Sequence, residues 1–187
     1  MSIYKDVMST LVRVLAADNI DNSTKQSWQK LIDADLRSGG TGSSLSVRDK
    51  FDYDCCLYAL LHRQLEPAQW DVLVAKYSTH KANKVAAIGR LVSRMVSPAP
   101  ELFIYKALTA WAIPKLKGVQ TGKRSTDMIV LPAEFYDMNT WDLAGSPERT
   151  RRNWRGGIHK RLEQLEEGAV IRATEIFDLE EIFVDAA

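Results

Sequence analysis

The sequence predicts an all-α, multi-helix bundle, and three observations lead there. Apolar residues recur at three- and four-residue spacing along most of the chain, the period of a helix with one buried face. Helix-start and helix-stop residues punctuate those runs, among them Ser46, Pro67, Pro98, Pro100 and the Ser146-Pro147 pair. The 187 residues are 45% hydrophobic and 26% charged, enough for one domain or two small ones with a real core.

In chain order, Met1–Ala17 reads as a first helix through Tyr4, Met8, Leu11, Val12 and Leu15. Asp21–Asp35 reads as a second, starting at Asn22-Ser23 and burying Trp28, Leu31 and Ile32. Residues 1–37 would then be an N-terminal helical hairpin, and the glycine- and serine-rich stretch 38–45 a flexible linker. Residues 46–167 form the expected helical body. Its helices are Ser46–Leu65, Ala68–Tyr77, Lys81–Val96 and residues 101–113. Their inner faces carry Phe51, Cys55, Tyr58, Leu61 and Leu65; Trp70, Leu73, Val74 and Tyr77; Val85, Ile88, Leu91, Val92 and Met95; and Leu102, Phe103, Ala107, Ala110 and Trp111. Lys81, Lys84, Arg90 and Arg94 make a basic surface on the third of these.

Lys115–Ser125 is a basic loop with Lys123 and Arg124, a phosphate contact or a solvated linker. Asp127–Leu131 is a short strand or a buried tether. Pro132–Asp142 reads as a helix with Phe135, Tyr136 and Trp141 on the core side. A second helix follows over about 146–165, with Ser146 as N-cap, Pro147 at the first position, and Trp154, Ile158, Leu162 and Leu165 on one apolar face. Together the two make a helix-turn-helix unit, which a helical insertion would split from Leu65–Tyr77. Gly168 should end the second helix. Ala169–Phe177 is a strand or a helix, within an acidic C-terminal tail over 168–187 that either docks a basic partner or solubilises the chain.

Charge locates the functional candidate. From Gly145 to Arg161 six Lys or Arg stand against one acid, a local balance of +5 in a chain of net charge +1. Arginine reads guanine bidentately and clamps phosphate. The expected DNA contacts are Arg149, Arg151, Arg152, Arg155, His159 and Lys160, with Lys123 and Arg124 from the basic loop. Arg151 and Arg155 are the first choice for base edges and Lys160 for phosphate. Gly156-Gly157 falls mid-helix at about 1 kcal/mol per glycine, so the backbone there comes close to DNA or another helix, or the helix bends.

Other chemistries lack their residues. No phosphate loop, dinucleotide fingerprint or nucleophile elbow is present, and no apolar strand precedes Gly39-Gly40-Thr41-Gly42. His62, His80 and His159 are scattered, and the adjacent Cys55 and Cys56 cannot supply a spaced zinc pair. No catalytic residues, cofactor or metal are expected. Adjacent free thiols, no membrane-length apolar run and no signal-peptide core fit a cytoplasmic protein that is not an enzyme.

Gly145, Ser146, Glu148, Thr150, Arg151, Arg152, Arg161 and Leu162 resemble the second helix of the helix-turn-helix in sigma-factor region 4. Leu65-Glu66-Pro67 leading into Tyr77 looks like the opening of that domain. With its size and helical content, the chain is similar over most of Ser46–Phe177 to the phage Q-type transcription antiterminators, in particular the AlpA-type lysis-cassette antiterminators. The resemblance implies a factor that binds DNA near a promoter and loads onto bacterial RNA polymerase paused with sigma factor. There it lines the exit channel of the nascent RNA and suppresses terminators. The alternatives are a helix-turn-helix regulator of initiation, activator or repressor, and a helical protein-interaction module.

Overall fold

Periodicity translates directly into helix. The computed structural model describes residues 6–21, 47–115 and 129–183. Six α-helices run through them: α1 (Val7–Asp21), α2 (Val47–Gln64), α3 (Pro67–Tyr77), α4 (Lys81–Arg94), α5 (Glu101–Ala112) and α6 (Glu148–Leu179). Two 3-10 turns, Ala133–Tyr136 and Met138–Thr140, precede α6. No strand occurs among the described residues, so the chain there is all-α. The expected helix beyond Asp21, the 38–45 linker, Ser46, Lys123 and Arg124 lie outside them.

The chain divides into two compact units. The first holds the described residues of Met1–Leu65, Tyr77–His80 and Val170–Ala187. The second is Glu66–Lys76 with Lys81–Ala169.

In the first unit α1 packs on α2 through Leu11, Val14 and Leu15, all fully buried. Met8 and Val12, expected on this face, are exposed. Asp54 on α2 is buried and held by the Arg13 Nε of α1 at 2.8 Å. Leu57 and Leu61 supply the apolar side of α2, with Leu65 buried just past its end, and Ala173, Ile176 and Phe177 that of the last turns of α6. A shallow apolar cleft is lined by Tyr53, Cys56, Leu57, Leu60, Arg63 and Ile182.

The residues from Ala169 on are therefore helix, and Gly168 does not stop it. A lone glycine costs a helix about 1 kcal/mol. Four side chains buried after it, Ala169, Ala173, Ile176 and Phe177, outweigh that. The stop comes about three turns later. Ile182 N–H donates to Phe177 C=O at 3.0 Å and Glu181 N–H to Asp178 C=O at 3.2 Å, with Glu181 at φ 51°. That is the Schellman arrangement, in which the left-handed position usually belongs to glycine.

In the second unit α3 is a core helix, with Trp70–Ala75 all buried. Its one buried charge, Asp71, accepts from Arg90 Nη2 at 2.7 Å and Arg94 Nη1 at 2.6 Å. Lys84 Nζ closes the carboxyl end of α3 by donating to the carbonyls of Ala75 (2.8 Å) and Lys76 (2.9 Å). Burial lowers that ammonium to about 8. α4 packs on α5 through Ala87, Ile88 and Leu91, while Val85 faces out. Phe103 of α5 is fully buried and meets Trp141 and Trp154 edge to face, with centroids 5.4 and 5.5 Å away.

The expected helix over Pro132–Asp142 is absent. Asp137 explains why: its backbone is extended and its carboxylate accepts from the Asn139 amide N–H (3.0 Å) and the Asn139 side chain (2.9 Å). Such Asx turns offer the backbone an alternative to the helical ladder. Trp141 is buried as expected, its Nε1 donating to Phe135 C=O at 2.7 Å, whereas Phe135 and Tyr136 are only half-buried. The first helix of the expected helix-turn-helix is thus replaced by two 3-10 turns. The second is longer than expected, 32 residues rather than about 20.

Candidate nucleic-acid interface

The entry to α6 is built on a residue that charge counting overlooks. Asp142 is buried, and its carboxylate accepts from the Ala144 amide at 3.0 Å and the Ser146 amide at 2.7 Å. The Ser146 hydroxyl also donates to it and, with those amides and the Arg151 charge, holds the carboxyl below its ordinary range against the opposing effect of burial. Gly145 completes the turn at φ 70°, which glycine adopts without strain. The first helical hydrogen bond runs from Arg151 N–H to Pro147 C=O, so α6 starts one residue later than expected. Ser146 caps no α6 amide in this arrangement; it braces Asp142. The sequence signal available was Asp-Leu-Ala-Gly-Ser itself, an Asx-turn pattern before a helix.

Ile158 and Leu162 are fully buried and Trp154 and Leu165 half-buried, the apolar face that the spacing predicts. The basic residues divide around it. Arg149, Arg152, Arg155, Lys160 and Arg161 are exposed. Arg149 and Lys160 have no ion-pair partner among the described residues, whereas Arg152 pairs with Glu148 one turn back and Arg161 donates to Val96 C=O. Arg155 lies over the Trp141 ring, 5.7 Å from its centroid. Arg151 is half-buried beside Asp142, with its Nε enclosed and unpartnered among the described residues.

His159 turns inward. It hydrogen-bonds the Ala107 backbone of α5, and its Nε2 is enclosed with no partner among the described residues. Burial, then the Arg155 charge, lowers its pKa, outweighing the Ala107 bond and the Glu163 charge that raise it. The two arginines expected at base edges are therefore tied to the turn before the helix, and the expected His159 contact faces the core. Arg149, Arg152 and Lys160 are the ones brought onto a common outward face, with Asn153, Gly156 and Gly157 between them at three- and four-residue spacing. Glu163 and Glu167 continue that face and end its positive stretch.

The second basic helix behaves differently. Lys84, Arg90 and Arg94 of α4 are engaged by α3, so they form no open basic surface. Among the described residues no group of three or more His, Cys, Asp or Glu is assembled to hold a metal, and no helix is long and apolar enough to cross a membrane. Compared with known proteins, the chain matches no family model, no curated protein and no solved structure.

Proposed function

We propose that the chain binds double-stranded DNA through the outward face of α6 between Arg149 and Arg161, and acts there as a transcription antitermination factor. The DNA-binding part rests on one observation. Arg149, Arg152 and Lys160 stand on a common exposed face of a helix whose opposite face is anchored by buried Ile158 and Leu162. Cations held on a rigid element attract phosphate before any base is read. Arg149, Arg152 and Lys160 suit phosphates, and Asn153 supplies hydrogen-bonding groups that suit a base edge.

The antitermination part rests on the resemblance of Gly145–Leu162 and Leu65–Tyr77 to sigma region 4 and of the chain to Q-type antiterminators. In that reading the protein loads onto RNA polymerase with sigma factor near a promoter and acts at the RNA exit channel. Purified bacterial polymerase transcribing a template with a promoter-proximal site and a downstream terminator tests it. Increased read-through is expected. Duplex binding without increased read-through leaves a regulator of initiation. The apolar cleft beside α2 favours a second reading, a protein-interaction module, which predicts no salt-dependent retardation of any duplex.

A further inference from the structure

We infer that the Gly156–Gly157 step is where α6 lies directly against the sugar-phosphate backbone of the duplex, an inference that rests on the DNA-binding reading above. Both glycines are exposed, and a Cβ added to either meets no atom within 4 Å. Internal packing therefore gives no reason for glycine here. Backbone conformation gives none either, since Gly145 alone among the described glycines has positive φ. Two adjacent glycines nevertheless weaken the middle of a helix.

The reason lies in what surrounds them. Arg152 and Asn153 are one turn before, Lys160 one turn after and Arg149 beyond, all exposed on the same side. Arg152 and Lys160 are about 12 Å apart along the axis, so their heads reach phosphates on either side of a contact centred on the glycines. Bare backbone lets the helix approach closely where any side chain would hold it off. The Arg152–Glu148 pair is an exposed one-turn pair, readily exchanged for phosphate. No apolar or aromatic side chain stands among these residues, so the face lacks the buried ring or aliphatic anchor that a protein partner would use. The helix thus docks by its third turn rather than by its first.

The test is the double variant Gly156→Ala/Gly157→Ala, measured by retardation of a random-sequence duplex at low salt alongside thermal unfolding. The added methyls touch nothing in the protein, so the unfolding midpoint should hold or rise while duplex affinity falls at least tenfold. Gly168→Ala, on the same helix and also facing open space, is the control and should bind as wild type. Wild-type affinity in the double variant overturns the inference and leaves DNA binding standing. So does a fall in its midpoint, which would assign the glycines to the fold. An equal loss with Gly168→Ala also overturns it, by tracing the effect to helix stiffness. A wild-type protein that retards no duplex removes the DNA-binding reading and this inference with it.

Discussion

α4 and the amino-terminal half of α6 have nearly the same recipe: an apolar stripe with several Lys and Arg on the remaining faces. In α4 the cations are consumed. Arg90 and Arg94 neutralise one buried aspartate, and Lys84 satisfies two helix-end carbonyls. In α6 the nearest buried carboxylate, Asp142, is already satisfied by amides and the Ser146 hydroxyl. It draws in Arg151 alone and leaves Arg149 and Lys160 facing out. A basic helix is therefore a binding surface only to the extent that the acids packed beside it are neutralised by something else.

That contrast can be broken in four places. The largest effect is expected at Phe103→Ala, which removes the fully buried ring between Trp141 and Trp154. It should cost about 3–5 kcal/mol in urea unfolding and take duplex binding with it, since the footing of α6 goes. Next comes Asp71→Ala, at about 2 kcal/mol. Removing one partner of a buried ion pair normally costs more, but Arg90 and Arg94 are nearly half exposed and can rehydrate. Its salt dependence of duplex binding should match wild type; a slope steeper by about 2 would mean that freed α4 arginines also reach DNA.

A milder loss is expected on acidification. His159 has a folded pKa below its ordinary 6.5, so below that value the unfolded chain takes up a proton that the folded chain refuses. Stability should fall as pH drops from about 6.5 towards the lowered value, and His159→Gln should flatten that part of the curve. The smallest effect on stability, under about 0.5 kcal/mol, is expected from Arg149→Ala/Lys160→Ala. The same pair should reduce the salt slope of duplex binding by about 2, whereas Arg90→Ala/Arg94→Ala should leave it unchanged. Equal slopes for the two double variants would erase the distinction between the helices.

Residue spacing made the helices legible because burial follows the 3.6-residue period. Ile158 and Leu162, or Ile88 and Leu91, could be assigned to the core from sequence. What it hid were choices among competing hydrogen bonds. Asp137 takes the Asn139 amide and turns an expected helix into 3-10 turns. Gly168 reads as a stop, yet the side chains buried after it keep the helix going to a Schellman end at Glu181. At the candidate interface the basic stretch was visible, but its sorting was not. Nothing local says that His159 faces Ala107, that Arg155 covers Trp141, or that Arg90 and Arg94 converge on an aspartate about twenty residues earlier.

The Trp141 indole lies beneath the Arg155 guanidinium and edge-on to Phe103. Its excited state therefore senses a cation at the surface and an aromatic core at once. Arg155→Gln, which removes the cation from above the ring, should therefore shift the Trp141 contribution to the emission, and Trp141→Phe should remove that contribution.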